Sequence, residues 1–151
     1  MIVAVGFDHA GFPLRDRLLP LIEQLGHTVI DFGTDNPTPI DYPDKALEVG
    51  RAVASGHAER GILVCGSGAG VSVAASKILG VRAATIHDEY TAHQGVEHDA
   101  VNVLCLGGRV IGSEVAAEIV EAFLAAVVSM EERHVRRRAK VDEIERTGGQ
   151  G

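Results

Sequence analysis

Within six residues, Cys65-Gly66-Ser67-Gly68-Ala69-Gly70 sets a thiol and a hydroxyl among three glycines. Glycines let a backbone turn sharply and approach a ligand closely. Their N–H groups can converge on an anion where a helix begins. A thiol and a hydroxyl beside such a concavity suit proton transfer on a substrate that develops negative charge. The plainer reading is a tight strand-to-helix turn in which Cys65 is a small apolar residue. Three familiar phosphate loops are excluded by inspection. A Walker A loop needs Gly-Lys-Ser/Thr, but Gly70 is followed by Val71-Ser72. A dinucleotide loop has its third glycine one position later and belongs on the first strand. A Cys-x5-Arg phosphatase loop would need arginine where Val71 stands.

Other reactive groups are scattered along the chain: Asp8-His9-Ala10-Gly11, Asp41-Tyr42-Pro43, His87-Asp88, His98-Asp99 and Gly108-Arg109. Arg133, Arg136, Arg137, Arg138 and Lys140 crowd the C-terminal part of an otherwise acidic protein. Such a run is either a solvated helix face or a phosphate clamp. Arg133 and Arg137 are four residues apart and share one helical face, whereas Arg138 reads as the idle member of the group. Asp8 and His9 find no third metal ligand among the strand-end residues, and Cys65 and Cys105 form no Cys-x-x-Cys or zinc spacing. No metal site is therefore expected, and Cys105 reads as core.

These groups need a scaffold, and the apolar periodicity supplies one. Strands are expected near Ile2–Gly6, Thr28–Phe32, Gly61–Cys65, Arg82–Ile86 and Val101–Leu106, separated by helix-sized segments. Helices are expected near Pro13–Leu25, Pro43–Ser55, Val71–Leu79, Tyr90–Glu97, Ser113–Ser129 and Glu131–Arg146. Strands alternating with helices predict an α/β fold: a three-layer α/β/α sandwich around a five-stranded parallel, Rossmann-like sheet. Ligands of such sheets bind outside the carboxyl ends of the strands. The last helix carries only Val135, Ala139, Val141 and Ile144 as a thin apolar stripe. A helix with so little to bury is expected to pack on a partner subunit. Residues 1–146 read as one domain, and 147–151 as a flexible tail.

Composition narrows the function. The formal charge of −7 argues against a general nucleic-acid binder. No apolar stretch approaches the roughly 20 residues of a membrane span. Met1-Ile2-Val3-Ala4-Val5 runs straight into a folded pattern, so a cytoplasmic, reducing location is expected.

Taken together, Asp8-His9-Ala10-Gly11, Asp41-Tyr42-Pro43, the Cys65–Gly70 loop, His98…Asn102-Val103, Gly108-Arg109 and Arg133-His134-x-x-Arg137 resemble the ribose-5-phosphate isomerase B family. That family includes galactose-6-phosphate and allose-6-phosphate isomerases, and the resemblance runs from Ile2 to about Glu145. It implies a homodimer, sometimes a tetramer, with shared active sites, and a cofactor-free, metal-free interconversion of aldose and ketose phosphates. It makes Cys65 the base that moves a proton between C1 and C2, Ser67 a proton shuttle at the substrate oxygens, and His98 the ring-opening residue. Backbone amides of Gly66, Gly68 and Gly70 would hold a cis-enediolate, while Asp8 and Tyr42 would contact sugar hydroxyls. His9, Arg133 and Arg137, with Arg109, would grip the phosphate. Val71 fits the subgroup that uses a cysteine base. One position departs from the family: Asp99 stands where it usually has asparagine next to the ring-opening histidine. A carboxylate accepts hydrogen bonds but cannot donate them, so the substrate identity stays open. Ribose 5-phosphate is the default, and four- or six-carbon sugar phosphates are the rivals. A non-catalytic flavodoxin-like phosphosugar-binding domain is the reading from outside the class.

Overall fold

The structure is a computed structural model that describes residues 1–150. Strands β1 (Ile2–Phe7), β2 (Thr28–Asp31), β3 (Arg60–Cys65), β4 (Ala83–Thr85) and β5 (Val103–Gly107) form one parallel sheet in the order β2-β1-β3-β5-β4. The three central strands β1, β3 and β5 are almost continuously buried. Their unbroken apolar runs are what a parallel sheet covered on both faces requires.

Because successive side chains point to opposite faces, each central strand feeds two cores. Val3, Val5, Phe7, Ile62, Val64, Leu104 and Leu106 pack against helices α1 (Arg15–Gln24), α4 (Glu89–Asp99) and α5 (Ser113–Ala125). Ala4, Leu63, Cys65, Val103 and Cys105 pack against α2 (Tyr42–Ala54) and α3 (Ala69–Ala75). The three-layer α/β/α sandwich expected from the sequence is the fold observed. No helix among the described residues is long and apolar enough to cross a membrane.

Two helices end sooner than periodicity predicts. α3 begins at Ala69 and stops at Ala75, after which Ile78 turns in against Gly50 and Gly80 adopts a φ of +83°. α5 stops at Ala125 instead of Ser129, where Ala126 turns extended at ψ 146°. There the Arg60 guanidinium, from the start of β3, donates to the carbonyls of Phe123 and Ala126 and lies 5.2 Å from the Phe123 ring centroid. A cation that takes up the last carbonyls caps the helix.

The sixth helix, α6 (Glu132–Thr147), runs one residue into the segment expected to be a tail and ends on Gly148 in the left-handed region, φ 63°; Gly151 of that segment lies outside the described residues. α6 lies on α4 and buries only His134. Polar bonds hold it: Arg138 donates to the carbonyls of His98 (3.2 Å) and Ser129 (2.8 Å), and Arg82 pairs with Asp142. Val135, Val141 and Ile144 remain exposed at 40%, 47% and 59%.

Candidate active site

The chain reverses direction across the sheet at β1 and β3, which are neighbours in space although β2 lies between them in sequence. Asp8 follows β1 there, and its N–H donates to the carbonyl of Val64 at 3.0 Å, so Asp8 stands beside Cys65 at the end of β3. β5 closes the other side: the N–H of Gly108 donates to the Cys65 carbonyl at 2.7 Å and that of Arg109 to the Gly66 carbonyl at 3.0 Å. The result is a cleft of about 390 Å³ lined by Asp8, Tyr42, Cys65, Gly66, Ser67, Gly70 and Arg109. Seven of the residues singled out in the sequence thus meet at one place. Val110, which nothing in the sequence marked, adds an apolar wall. A larger groove of about 680 Å³ beside the edge strand β2 is mostly apolar and holds none of these groups.

Inside the cleft the loop is tightly organised. Gly68 takes a φ of +80°, and its N–H donates to Sγ of Cys65 at 3.1 Å. An amide donor aimed at sulfur supports negative charge there. Thr85 on β4 donates its hydroxyl to the Gly68 carbonyl at 2.9 Å, fixing the peptide plane. Ser67 is exposed, and its Oγ accepts from the N–H of Ala69 at 3.2 Å, which leaves its own proton free for a ligand. Tyr42 opens α2 with its ring laid on Gly70; a methyl group at Gly70 would fall 2.8 Å from Cζ. Glycine at position 70 is what lets the aromatic ring approach the loop.

Asp8 is 5% exposed, and its Oδ1 accepts from the N–H groups of Ala10 (2.8 Å) and Gly11 (2.9 Å). Those bonds fix the carboxylate and leave Oδ2 for a hydroxyl. His9 is half-buried beside it, and its Nδ1 accepts from the N–H of Ile40 at 3.2 Å. That bond makes Nε2 the donor of the neutral ring, as a phosphate contact needs. Arg109 is exposed over Gly66, with no ion-pair partner among the described residues. His87, ambiguous in the sequence, accepts the N–H of Gly107 on Nε2 at 2.9 Å and so supports the loop after β5.

The other predicted site residues lie elsewhere. α4 runs back from the end of β4 and places His98 and Asp99 just before β5 starts, whereas Cys65 is level with Gly107, where β5 ends. The length of β5 keeps the two ends about 13 Å apart at roughly 3.3 Å per residue. At that amino end, His98 stacks on His134 with ring centroids 4.0 Å apart. Arg133 and Arg137 leave α6 on its exposed side; Arg133 pairs with Glu131 at 2.9 Å, while Arg137 has no carboxylate partner among the described residues. Asp99 borders a separate cavity of about 250 Å³ with Arg82, Asp142 and Glu145. Sequence reasoning gave no role to His134 or Arg138, yet these two lie four apart on the α6 face turned to α4. No group of three or more His, Cys, Asp or Glu side chains converges among the described residues, so Asp8 and His9 gain no third ligand.

A parallel sheet whose switch point holds a thiol accepting a backbone N–H, with the exposed Arg109 beside it, defines a small α/β protein with a cleft suited to an anionic ligand. The sequence profile of the family described as Ribose/Galactose Isomerase matches residues 3–141, and the chain belongs to that family. It is 43% identical over 124 residues to ribose-5-phosphate isomerase B of Escherichia coli, covering 82% of this chain and 83% of that protein. It is 42% identical over 127 residues to D-erythrulose-4-phosphate isomerase of Pectobacterium atrosepticum, covering 82% of each. The structure of Clostridium thermocellum ribose-5-phosphate isomerase B superposes with a TM-score of 0.93 at 41% identity, covering 97% of this chain and 99% of that one.

Proposed function

We propose that the chain interconverts an aldose phosphate and a ketose phosphate through a cis-enediolate, with ribose 5-phosphate and ribulose 5-phosphate as the substrate pair. The observation that carries this reading is the Cys65 thiol, hydrogen-bonded by the Gly68 amide at the floor of a cleft bordered by Ser67. An enediolate concentrates charge on two oxygens, so fixed donors stabilise its formation more than they stabilise the substrate.

The sugar ring opens first. The C1–O4 bond breaks, O4 takes a proton and the C1 hydroxyl loses one; an imidazole such as His98 can give and take protons near neutral pH. Thiolate Cys65 then removes the proton from C2, and the electron pair moves toward C1 to give the enediolate. Ser67 moves the proton between O1 and O2, and loop amides at Gly66 and Gly70 bear the charge. Cys65 returns its proton to C1, leaving the ketose. Asp8 and Tyr42 orient hydroxyls, while His9, Arg109, Arg133 and Arg137 hold the phosphate, the arginines through their planar forks.

The separation of His98, Asp99, Arg133 and Arg137 from the Cys65 cleft supports a shared site in a homodimer, with those four residues supplied by a second copy. The thin, exposed apolar stripe on α6 supports the same arrangement. A cytoplasmic location fits a metabolic activity of this kind. The near-equal identities to a ribose-5-phosphate isomerase B (43%) and a D-erythrulose-4-phosphate isomerase (42%) support a tetrose phosphate as a second substrate reading.

The test is isomerisation of ribose 5-phosphate in deuterated water with a chelator present. Solvent deuterium at the transferred carbon, lost in Cys65→Ala, is expected; full activity of Cys65→Ala would reject the mechanism. Mixing Cys65→Ala with Arg137→Ala, assayed at substrate well below the raised KM of Arg137→Ala where neither variant turns over appreciably, should restore about a quarter of the parent rate, because each mixed dimer keeps one intact shared site. No recovery on mixing, with exchange of subunits verified, would reject the shared site.

A further inference from the structure

At the C-terminus of α4, His98 is held on several sides. Its ring lies on that of His134, with centroids 4.0 Å apart and planes inclined by 25°. Its Nδ1 is 3.1 Å from Nε2 of Gln94, one turn earlier. An amide nitrogen can only donate, so Nδ1 accepts and Nε2 carries the proton of the neutral ring. The backbone is fixed as well, since Arg138 donates to the His98 carbonyl at 3.2 Å.

His134 is itself anchored. It is 3% exposed and is the one buried side chain of α6. Its Nδ1 is 2.8 Å from Oγ of Ser129, which also receives the N–H of Glu131 at 3.2 Å. The serine oxygen can accept from Glu131 and still donate its proton to Nδ1 of the neutral ring. Ser129 is tied to α4 in turn, because its N–H donates to the Glu97 carbonyl at 2.8 Å. A leucine would fill the same space more cheaply if packing were the only demand, since a buried imidazole costs free energy unless hydrogen-bonded. Burial, then the neighbouring His98 ring and Arg133 guanidinium, hold the His134 proton affinity below that of an ordinary imidazole.

We infer that His134 is a positioning residue for ring opening: tied to Ser129, its ring forms a platform that fixes the plane of the His98 imidazole and keeps Nε2–H directed outward. This rests on reading His98 as the ring-opening group. Gln94 sets the tautomer, and His134 sets the orientation. Alignment of a proton donor to the oxygen it serves governs general acid–base efficiency.

The chemistry of the two sugars separates this role from a structural one. Ribose 5-phosphate is mostly ring-closed, whereas ribulose 5-phosphate cannot close a furanose ring because its O5 is phosphorylated. Exchange of a C1 proton of ribulose 5-phosphate with deuterated water therefore reports enolisation without ring opening. In His134→Gln, turnover of ribose 5-phosphate should fall about tenfold or more, while that exchange stays within about twofold of the parent rate. Ser129→Ala, which removes the tether but keeps the ring, should give a smaller loss with the same selectivity. Equal losses in both assays, or no loss in either, would overturn the inference. His98→Asn separates it from its premise. If His98→Asn is itself not selective for the ring-closed sugar, the ring-opening role of His98 fails. If His98→Asn is selective and His134→Gln is not, only the role of His134 fails.

Discussion

The N–H of Gly68 meets Sγ of Cys65 at 3.1 Å because Gly68 sits at φ +80°, a conformation that costs an L side chain about 1–2 kcal/mol. A Cβ there would also stand 3.0 Å from the Leu106 carbonyl carbon and from Cγ2 of Thr85. Gly68→Ala must either accept that strain or turn the amide away from sulfur. The expected result is a destabilisation of about 1–2 kcal/mol by urea unfolding. It should come with a fall in kcat of about tenfold to a hundredfold and little change in KM. An unchanged kcat in a folded variant would reject a role for this amide in supporting charge on Cys65.

Arg60 is the counterpart for stability. Its guanidinium closes the end of α5 on the Phe123 and Ala126 carbonyls, 63 and 66 residues away, and burial lowers its proton affinity. Charge-assisted hydrogen bonds each contribute about 1.5–3 kcal/mol. Arg60→Ala should therefore lower the unfolding free energy by about 2–4 kcal/mol while KM stays constant, since Arg60 starts β3 at the end away from the cleft. A loss below about 0.5 kcal/mol would mean water replaces the cap without cost.

The same residue illustrates what could be read from the chain. β1, β3 and β5 announce themselves because they are buried on both faces, and Ile2–Phe7, Arg60–Cys65 and Val103–Gly107 are apolar almost throughout. The Asp8, Tyr42, Cys65 and Arg109 cleft follows from that order, since each residue stands at or just after the end of a strand or at the start of a helix. What long-range partners decide was not legible. Periodicity carried α5 to Ser129 because it cannot see Arg60, and α3 to Leu79 because it cannot see Ile78 turning in against Gly50. Arg138 read as idle because a row of basic residues gives no sign of which one turns inward. The structure spends it on the His98 and Ser129 carbonyls.

Arg133 and Arg137, proposed to hold the phosphate, should differ. Arg137 has no carboxylate partner among the described residues, whereas Arg133 is paired with Glu131 at 2.9 Å. Arg137→Ala should raise KM for the phosphorylated sugar about tenfold or more, with kcat less affected. Arg137→Lys should recover only part of it, because an ammonium lacks the planar fork. Glu131→Gln releases Arg133 and should lower KM slightly, with the benefit fading at high salt. A KM that ignores both arginines would move the phosphate site elsewhere.

Stability should depend on pH through His134. Its proton affinity in the folded chain lies below the ordinary imidazole value of 6.5, chiefly because burial penalises the cation. The unfolded chain thus binds the proton first as pH falls. Below about 6.5 the unfolded state gains protons that the folded state refuses, so stability declines until the folded-state value is passed and then levels off. His27, lowered by burial and by the N-terminal charge, slopes the same way, so the parent protein cannot isolate the effect. The difference can: the unfolding free energy of His134→Gln, measured by urea titration from pH 7.5 to 5, should fall less steeply than that of the parent. Parallel curves would show that His134 takes up its proton in the folded chain as readily as in the unfolded one. The stacked pair would then accept charge, and the neutral platform beneath His98 would be lost at acid pH.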